Sequence, residues 1–302
     1  MPSDRQPAPG KSAEWNARTW TSRDGLQLYY RDYPGSDDRP PLLCLHGLTR
    51  NSRDFEDFAD RYAGRFRVIA VDFRGRGMSE RDPQPSRYLP VTYAADILQL
   101  LDELAIDRAV FVGTSLGGLV TMLVAGIQPE RIAGAIINDI GPDLDRAGLD
   151  RIRSYVGRPM RFRDWDEAAD YVAEINRGLP ASNGPDDWVR AARRICREDG
   201  EAVVLDYDMA IAEPFNRPGD FNREEGAAAF DMWPLYRRLG QVPLLIVRGE
   251  SSDLLSRATA KAMLDAAPGA QLVTVPGVGH APELTEPAAV AAIDDFLARF
   301  AG

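Results

Sequence analysis

Short uninterrupted apolar runs recur at residues 41–45, 67–71, 109–112, 133–137, 242–247 and 271–275. Runs of this length with no polar alternation suit parallel strands covered on both faces. Residues 26–33 instead alternate apolar and polar, the pattern of a half-exposed strand near a sheet edge. Between the runs lie helix-length stretches at 55–62, 93–104, 116–128, 259–267 and 288–300. Strand, helix, strand, helix predicts a mostly parallel, doubly wound sheet with right-handed crossovers. The alternation breaks at 142–233, which offers helical stretches at 165–177 and 188–197 but no clear buried strand, and reads as a helical cap. The first 17 residues are polar, lack the apolar core of a signal peptide or membrane anchor, and read as a mobile tail. The expected organisation is therefore a tail over 1–17, an α/β core over 18–141 and 234–302, and a cap over 142–233.

Composition narrows the range of partners. A chain of 302 residues that is 44% hydrophobic and 27% charged can bury a large core and is neither disordered nor a coiled coil as a whole. Its net charge of −10 argues against nucleic acid or an anionic membrane as partner, since both repel it at long range. No run approaches the ~18 apolar residues of a spanning helix. The two cysteines, Cys44 in an expected strand and Cys196 in an expected helix, read as core residues of a protein kept in a reducing compartment, with the cytoplasm as expected location.

Candidate chemistry begins at Gly113-Thr114-Ser115-Leu116-Gly117, a G-x-S-x-G pattern where a buried strand meets a helix. There a serine occupies a tight turn and its Oγ projects above the sheet. A serine hydroxyl needs a base, and the chain contains only two histidines, His46 and His280. His280 follows the last expected strand, at the same sheet edge as Ser115, and is the expected base. His46 reads as structural, bonded to backbone, while the loop after it offers the Leu48 N–H to an oxyanion alongside the Leu116 N–H at the helix start. The acid has candidates at two strand ends, Asp253 and Asp139, with Glu250 a third. Asp253 completes the order serine, aspartate, histidine and is preferred; Asp139 then reads as a loop anchor. On that reading, Asp253→Asn costs more activity than Asp139→Asn.

These features together resemble the α/β-hydrolase superfamily over about residues 20 to 301. The resemblance rests on His46-Gly47, on Asp72-Phe73-Arg74-Gly75-Arg76-Gly77-Met78-Ser79, on the Ser115 turn, on Asp253 and on Gly279-His280. It implies an α/β-hydrolase fold, a sheet of about eight strands, a helical lid after the sixth strand, and an architectural role for the Asp72 to Ser79 turn.

The implied chemistry is two-step acyl transfer to water by Ser115, His280 and Asp253, with no metal or organic cofactor required. The expected substrate is a small ester or lactone. Relatives that open epoxides or displace halide carry aspartate where this chain has Ser115, which disfavours both reactions. Hydrolases of carbon–carbon bonds in ring-fission products keep the serine and stay as an alternative, although their His-Gly loop is usually richer in glycine than His46-Gly47-Leu48-Thr49-Arg50-Asn51. A non-catalytic receptor on the same fold, and a perhydrolase side reaction, complete the alternatives. Arg50 is a candidate for meeting a substrate carboxylate. The lid aromatics Trp165, Trp188 and Trp233, together with Phe162, Phe215 and Phe221, are candidates for lining an apolar pocket or for packing the lid.

Overall fold

A computed structural model describes residues 12–175, 184–215 and 231–300. Strands β1 (Asn16–Thr21), β2 (Gln27–Tyr33), β3 (Leu42–Leu45), β4 (Val68–Asp72), β5 (Ala109–Thr114), β6 (Ile132–Asn138), β10 (Leu244–Gly249) and β11 (Gln271–Val275) form one sheet. Their spatial order is β1-β2-β4-β3-β5-β6-β10-β11. The first two strands run antiparallel to their neighbours and the remaining pairs are parallel.

The unbroken apolar runs have a direct physical cause. Successive side chains of a strand point to opposite faces, and here both faces are covered. Leu43, Leu45, Ile69, Val71, Phe111, Ala135, Ile137 and Ile246 belong to one buried layer. Their immediate neighbours Leu42, Cys44, Val68, Ala70, Val110, Val112, Ile136 and Val247 belong to the layer on the other side.

β1 was not expected. It pairs with β2 from Asn16 to Thr21, so residues 16 and 17 belong to the sheet rather than to a mobile tail. Its burial pattern leaves only Trp20 inside, because it is an edge strand with one covered position, and such a strand leaves no hydrophobic signal. The chain just before it is also anchored: the Ala13 N–H donates to Asp60 at 2.6 Å, and the Arg31 guanidinium lies 4.3 Å from the Trp15 ring centroid. The rest of the expected tail, residues 1–11, lies outside the described part.

The cap follows β6, as expected, but it is not purely helical. Helices Arg146–Tyr155, Trp165–Ile175 and Pro185–Ile195 accompany a small antiparallel sheet of β7 (Arg161–Phe162), β9 (Ala202–Leu205) and β8 (Cys196–Asp199), in that order. Cys196 therefore opens a strand instead of lying in a helix. β8 reads Cys-Arg-Glu-Asp and is mostly polar, since one face of this sheet meets solvent. The cap shares the core's apolar layer through Leu149, Ile152, Phe162, Tyr207 and Ile211. Polar ties add direction: Asn51 and Arg53 donate to the Arg194 carbonyl at 2.8 and 2.9 Å, and the Gly77 N–H donates to that of Asp206 at 3.0 Å. No helix among the described residues is long and apolar enough to cross a membrane.

The turn after β4 carries a buried ion cluster. Arg74, 1% exposed, donates from Nε and Nη2 to Asp96 at 2.9 and 2.7 Å and from Nη1 to Asp82 at 2.6 Å and Asp24 at 2.9 Å. Burial pushes the Asp96 carboxyl up against the opposing pull of Arg74. Removing the cation strands buried carboxylates, so Arg74→Met should lower the unfolding free energy in urea by about 3–5 kcal/mol. A loss within experimental error would show that the acids find other partners.

Candidate active site

Ser115 sits between the end of β5 and a helix at Leu116–Ile127, with φ 51° and ψ −114°. A non-glycine residue at positive φ is strained by roughly 1–2 kcal/mol, and the strain turns the hydroxyl out above the sheet. Two glycines permit the turn. A Cβ on Gly113 would lie 2.6 Å from the Gly117 carbonyl carbon, and one on Gly117 would overlap the Leu45 carbonyl oxygen. The Ser115 N–H donates to the Asn138 carbonyl at 2.9 Å, which ties the turn to the end of β6.

His280 Nε2 stands 3.1 Å from Ser115 Oγ, and its Nδ1 stands 2.8 Å from Asp139 Oδ2. With a carboxylate accepting at Nδ1, the imidazole holds its proton there and Nε2 is left to accept from the serine hydroxyl. Asp139 is fully buried, at φ 57°, one residue beyond β6. Its Oδ1 accepts the Gly249 N–H at 2.9 Å, and its own N–H donates to Val247 at 2.8 Å. Asn138 completes the frame: its side-chain amide donates to Thr114 Oγ1 at 3.1 Å and to the Pro282 carbonyl at 2.8 Å, pinning the loop that carries His280. Nothing in its sequence context marks Asn138, because both partners come from distant strand ends.

The aspartate beside His280 is thus Asp139, and the expectation of Asp253 is corrected. Asp253 accepts two bonds from Arg151, Nε at 2.6 Å and Nη2 at 2.9 Å. Burial raises its carboxyl, but the Arg151 guanidinium outweighs burial and holds it below the ordinary carboxylate range. Glu250 is not the partner either; it accepts the Gly277 N–H at 2.9 Å and so supports the histidine loop from behind.

His46 is structural, as its position suggested. It is fully buried, Nδ1 donates to the Gly47 carbonyl at 2.6 Å, and Nε2 accepts the Phe73 N–H at 3.0 Å. Burial pushes its pKa down to about 3, so it is neutral. The loop after it approaches the serine, since a Cβ on Gly47 would be 3.7 Å from Ser115 Cβ. Arg76 orients that loop by donating to the Leu48 carbonyl at 3.0 Å while also binding Tyr93 and the Arg74 carbonyl. Among the described residues the N–H groups of Leu48 and Leu116 donate to no backbone carbonyl, and they border the cavities that meet at Ser115.

Two cavities share Ser115. One, of about 140 Å³, is lined by His280, Arg50, Arg151, Arg194, Tyr155 and Trp188 among others. The other, of about 40 Å³, is apolar and lies among Leu119, Ile140, Leu144, Leu149, Ile211 and Leu254. Of the expected pocket residues, Arg50 and Trp188 line the first cavity. Trp165 and Trp233 line neither. Trp165 donates to Glu198 at 3.2 Å beneath the Arg193 guanidinium, and Trp233 donates to Asp143 at 2.9 Å, so both brace the cap. Phe162 is buried within the cap; Phe221 and the Phe215 side chain lie outside the described part.

A serine turn at the centre of a mostly parallel sheet, with a loop histidine at the same edge, defines a broad class of proteins, and comparison places the chain within it. The model of the alpha/beta hydrolase family matches residues 42–293. The chain belongs to the α/β-hydrolase family. It is 32% identical over 275 residues to the 3-hydroxybutyrate-oligomer hydrolase of Cupriavidus necator, covering 90% of this chain and 92% of that protein. It is also 32% identical to the 2-(acetamidomethylene)succinate hydrolase of Mesorhizobium japonicum, covering 82% and 85%. Among solved structures, an α/β hydrolase from Novosphingobium aromaticivorans superposes with a TM-score of 0.88 at 47% identity, covering 96% of this chain and all of that one.

The geometry can be checked without turnover. With two histidines in the chain, imidazole nitrogens are separable by NMR. The Nδ1 proton signal of His280 should shift in Asp139→Asn and stay in place in Asp253→Asn; the reverse pattern would make Asp253 the partner.

Proposed function

We propose that this hydrolase cleaves carboxylic esters or lactones through an acyl-enzyme on Ser115. The observation that carries the reading is the line of hydrogen bonds from Ser115 Oγ through His280 to buried Asp139. Ser115 Oγ attacks the carbonyl carbon as His280 Nε2 takes its proton. The Asp139 carboxylate holds the imidazole in the required tautomer and stabilises the imidazolium. The amides of Leu48 and Leu116 receive the oxyanion, each worth ~3 to 4 kcal/mol in such sites. His280 then protonates the leaving alcohol, and afterwards activates a water that releases the acid and regenerates the serine. The residues of this site supply nucleophile, base and oxyanion donors themselves.

The curated relative named as a 3-hydroxybutyrate-oligomer hydrolase supports an ester as the bond cleaved, and its alignment covers nearly the whole of both chains. The small cavities at Ser115 favour short substrates. The two cysteines, buried and unpaired, accord with a cytoplasmic setting.

Hydrolysis of p-nitrophenyl acetate tests the reading. Wild type should turn it over with a burst of p-nitrophenol, Ser115→Ala should abolish both phases, and turnover that persists in the variant would remove Ser115 from the chemistry. Asp139→Asn should lower kcat by roughly 10⁴-fold, the cost of the wrong imidazole tautomer, while Asp253→Asn should cost far less.

A further inference from the structure

We propose that the arginine-lined cavity is a carboxylate subsite, and that the substrates are short esters with a free carboxylate at one end and a small alkyl group at the other. The inference rests on the ester reading above and specifies its substrate class. Three guanidinium groups, from Arg50, Arg151 and Arg194, line the cavity that also contains Ser115 and His280. Asp54 and Glu283 line it with them, and each guanidinium is paired with a carboxylate: Arg50 with Asp54, Arg151 with Asp253 and Arg194 with Asp57.

The partners of these arginines orient them. Arg50 uses Nε and Nη2 on Asp54 at 2.7 and 2.8 Å, and Arg151 uses Nε and Nη2 on Asp253. A bidentate carboxylate fixes the guanidinium plane and occupies one edge of it. Tyr155, which lines the same cavity, is a further hydrogen-bonding neighbour of Arg151. Arg194 is 7% exposed, binds Asp57 through Nη2 at 2.6 Å, and leaves a buried Nε without a partner.

Arg151 is the principal anchor. Asp54 and Glu283 act mainly on Arg50 and Arg194, whereas the carboxylate facing Arg151 is Asp253, which does not line the cavity. Asp253 therefore holds Arg151 through Nε and Nη2 without itself occupying the cavity that the guanidinium lines. The apolar cavity that also borders Ser115, about 40 Å³, has room for about one or two water-sized groups and so for a methyl or similarly small alkyl group. An ester spanning both cavities would place its carbonyl at Ser115.

The test compares 3-acetoxybutanoate with its primary amide, which differs by one charge at nearly constant shape. Wild type should favour the acid by about 10- to 100-fold in kcat/KM, mostly through KM, the scale of one charge-assisted hydrogen-bond pair. Arg151→Gln should reduce the acid-to-amide ratio to within about threefold, and Arg151→Lys should restore part of it. A ratio measured within one protein is insensitive to partial loss of folded enzyme. Should Arg151→Gln fail to fold, wild type alone decides: butanoate should inhibit p-nitrophenyl acetate hydrolysis competitively, and butanamide should not. Equal turnover of acid and amide by wild type, a preference that survives in Arg151→Gln, or equal inhibition by butanoate and butanamide would overturn the subsite. Absence of turnover on p-nitrophenyl acetate as well would overturn the ester reading itself, and the subsite with it.

Discussion

A carboxylate with no exposure to solvent must find its hydrogen bonds inside the protein or lose its charge, and Asp139 finds them at the one point where three strand ends meet. Its two oxygens bind the Gly249 N–H at the end of β10 and the imidazole of His280 beyond β11. The backbone beside it is equally committed, since the Asn138 carbonyl receives the Ser115 N–H and the Asn138 side chain holds the histidine loop. These bonds require β5, β6 and β10 to end in register, which they do: Thr114 pairs with Asn138, and Asn138 with Val247. Parallel strands buried on both faces have little freedom to slip, because a one-residue shift exchanges their two apolar layers. The spacing of serine, imidazole and carboxylate is thus inherited from the packing of the sheet.

Arginine does much of the remaining work. Arg76 reaches from the turn after β4 to the Leu48 carbonyl, Arg53 and Asn51 hold the cap through the Arg194 carbonyl, and Arg151 joins the cap helix to Asp253. A guanidinium presents five donors in one plane, so a single side chain can bind carbonyls or carboxylates on separate elements at once. The turn after β4 is architectural in this sense: through Arg74 it is anchored in the core, and through Arg76 it sets the peptide beside the serine. The cap consequently rests on directional polar bonds as well as on shared apolar surface, and its arginines come to face the serine.

Much of this was legible in the chain. The unbroken apolar runs mark the parallel strands because burial on both faces leaves no polar positions, and the serine turn is marked because only glycines fit at Gly113 and Gly117. With two histidines present, position relative to the last strand was enough to separate His280 from His46. Each of these signals is local: it depends on residues within one strand or one turn. β1 and the small cap sheet lack such a signal, since an edge strand and a solvent-facing strand bury few side chains.

The choice between Asp139 and Asp253 belonged to the tertiary structure. Both follow a strand at the same sheet edge, and both satisfy the order serine, aspartate, histidine. What separates them is a partner more than one hundred residues away: Arg151 claims Asp253, while the amide at Gly249 and the imidazole of His280 converge on Asp139. The same holds for the cavity arginines, whose orientation follows from carboxylates on other elements. The sequence by itself determined the fold and marked the serine turn and the loop histidine, because hydrophobic period and turn chemistry act over a few residues. Only the tertiary structure decided which carboxylate meets the histidine, because charge pairing acts through space between elements that the chain order does not bring together.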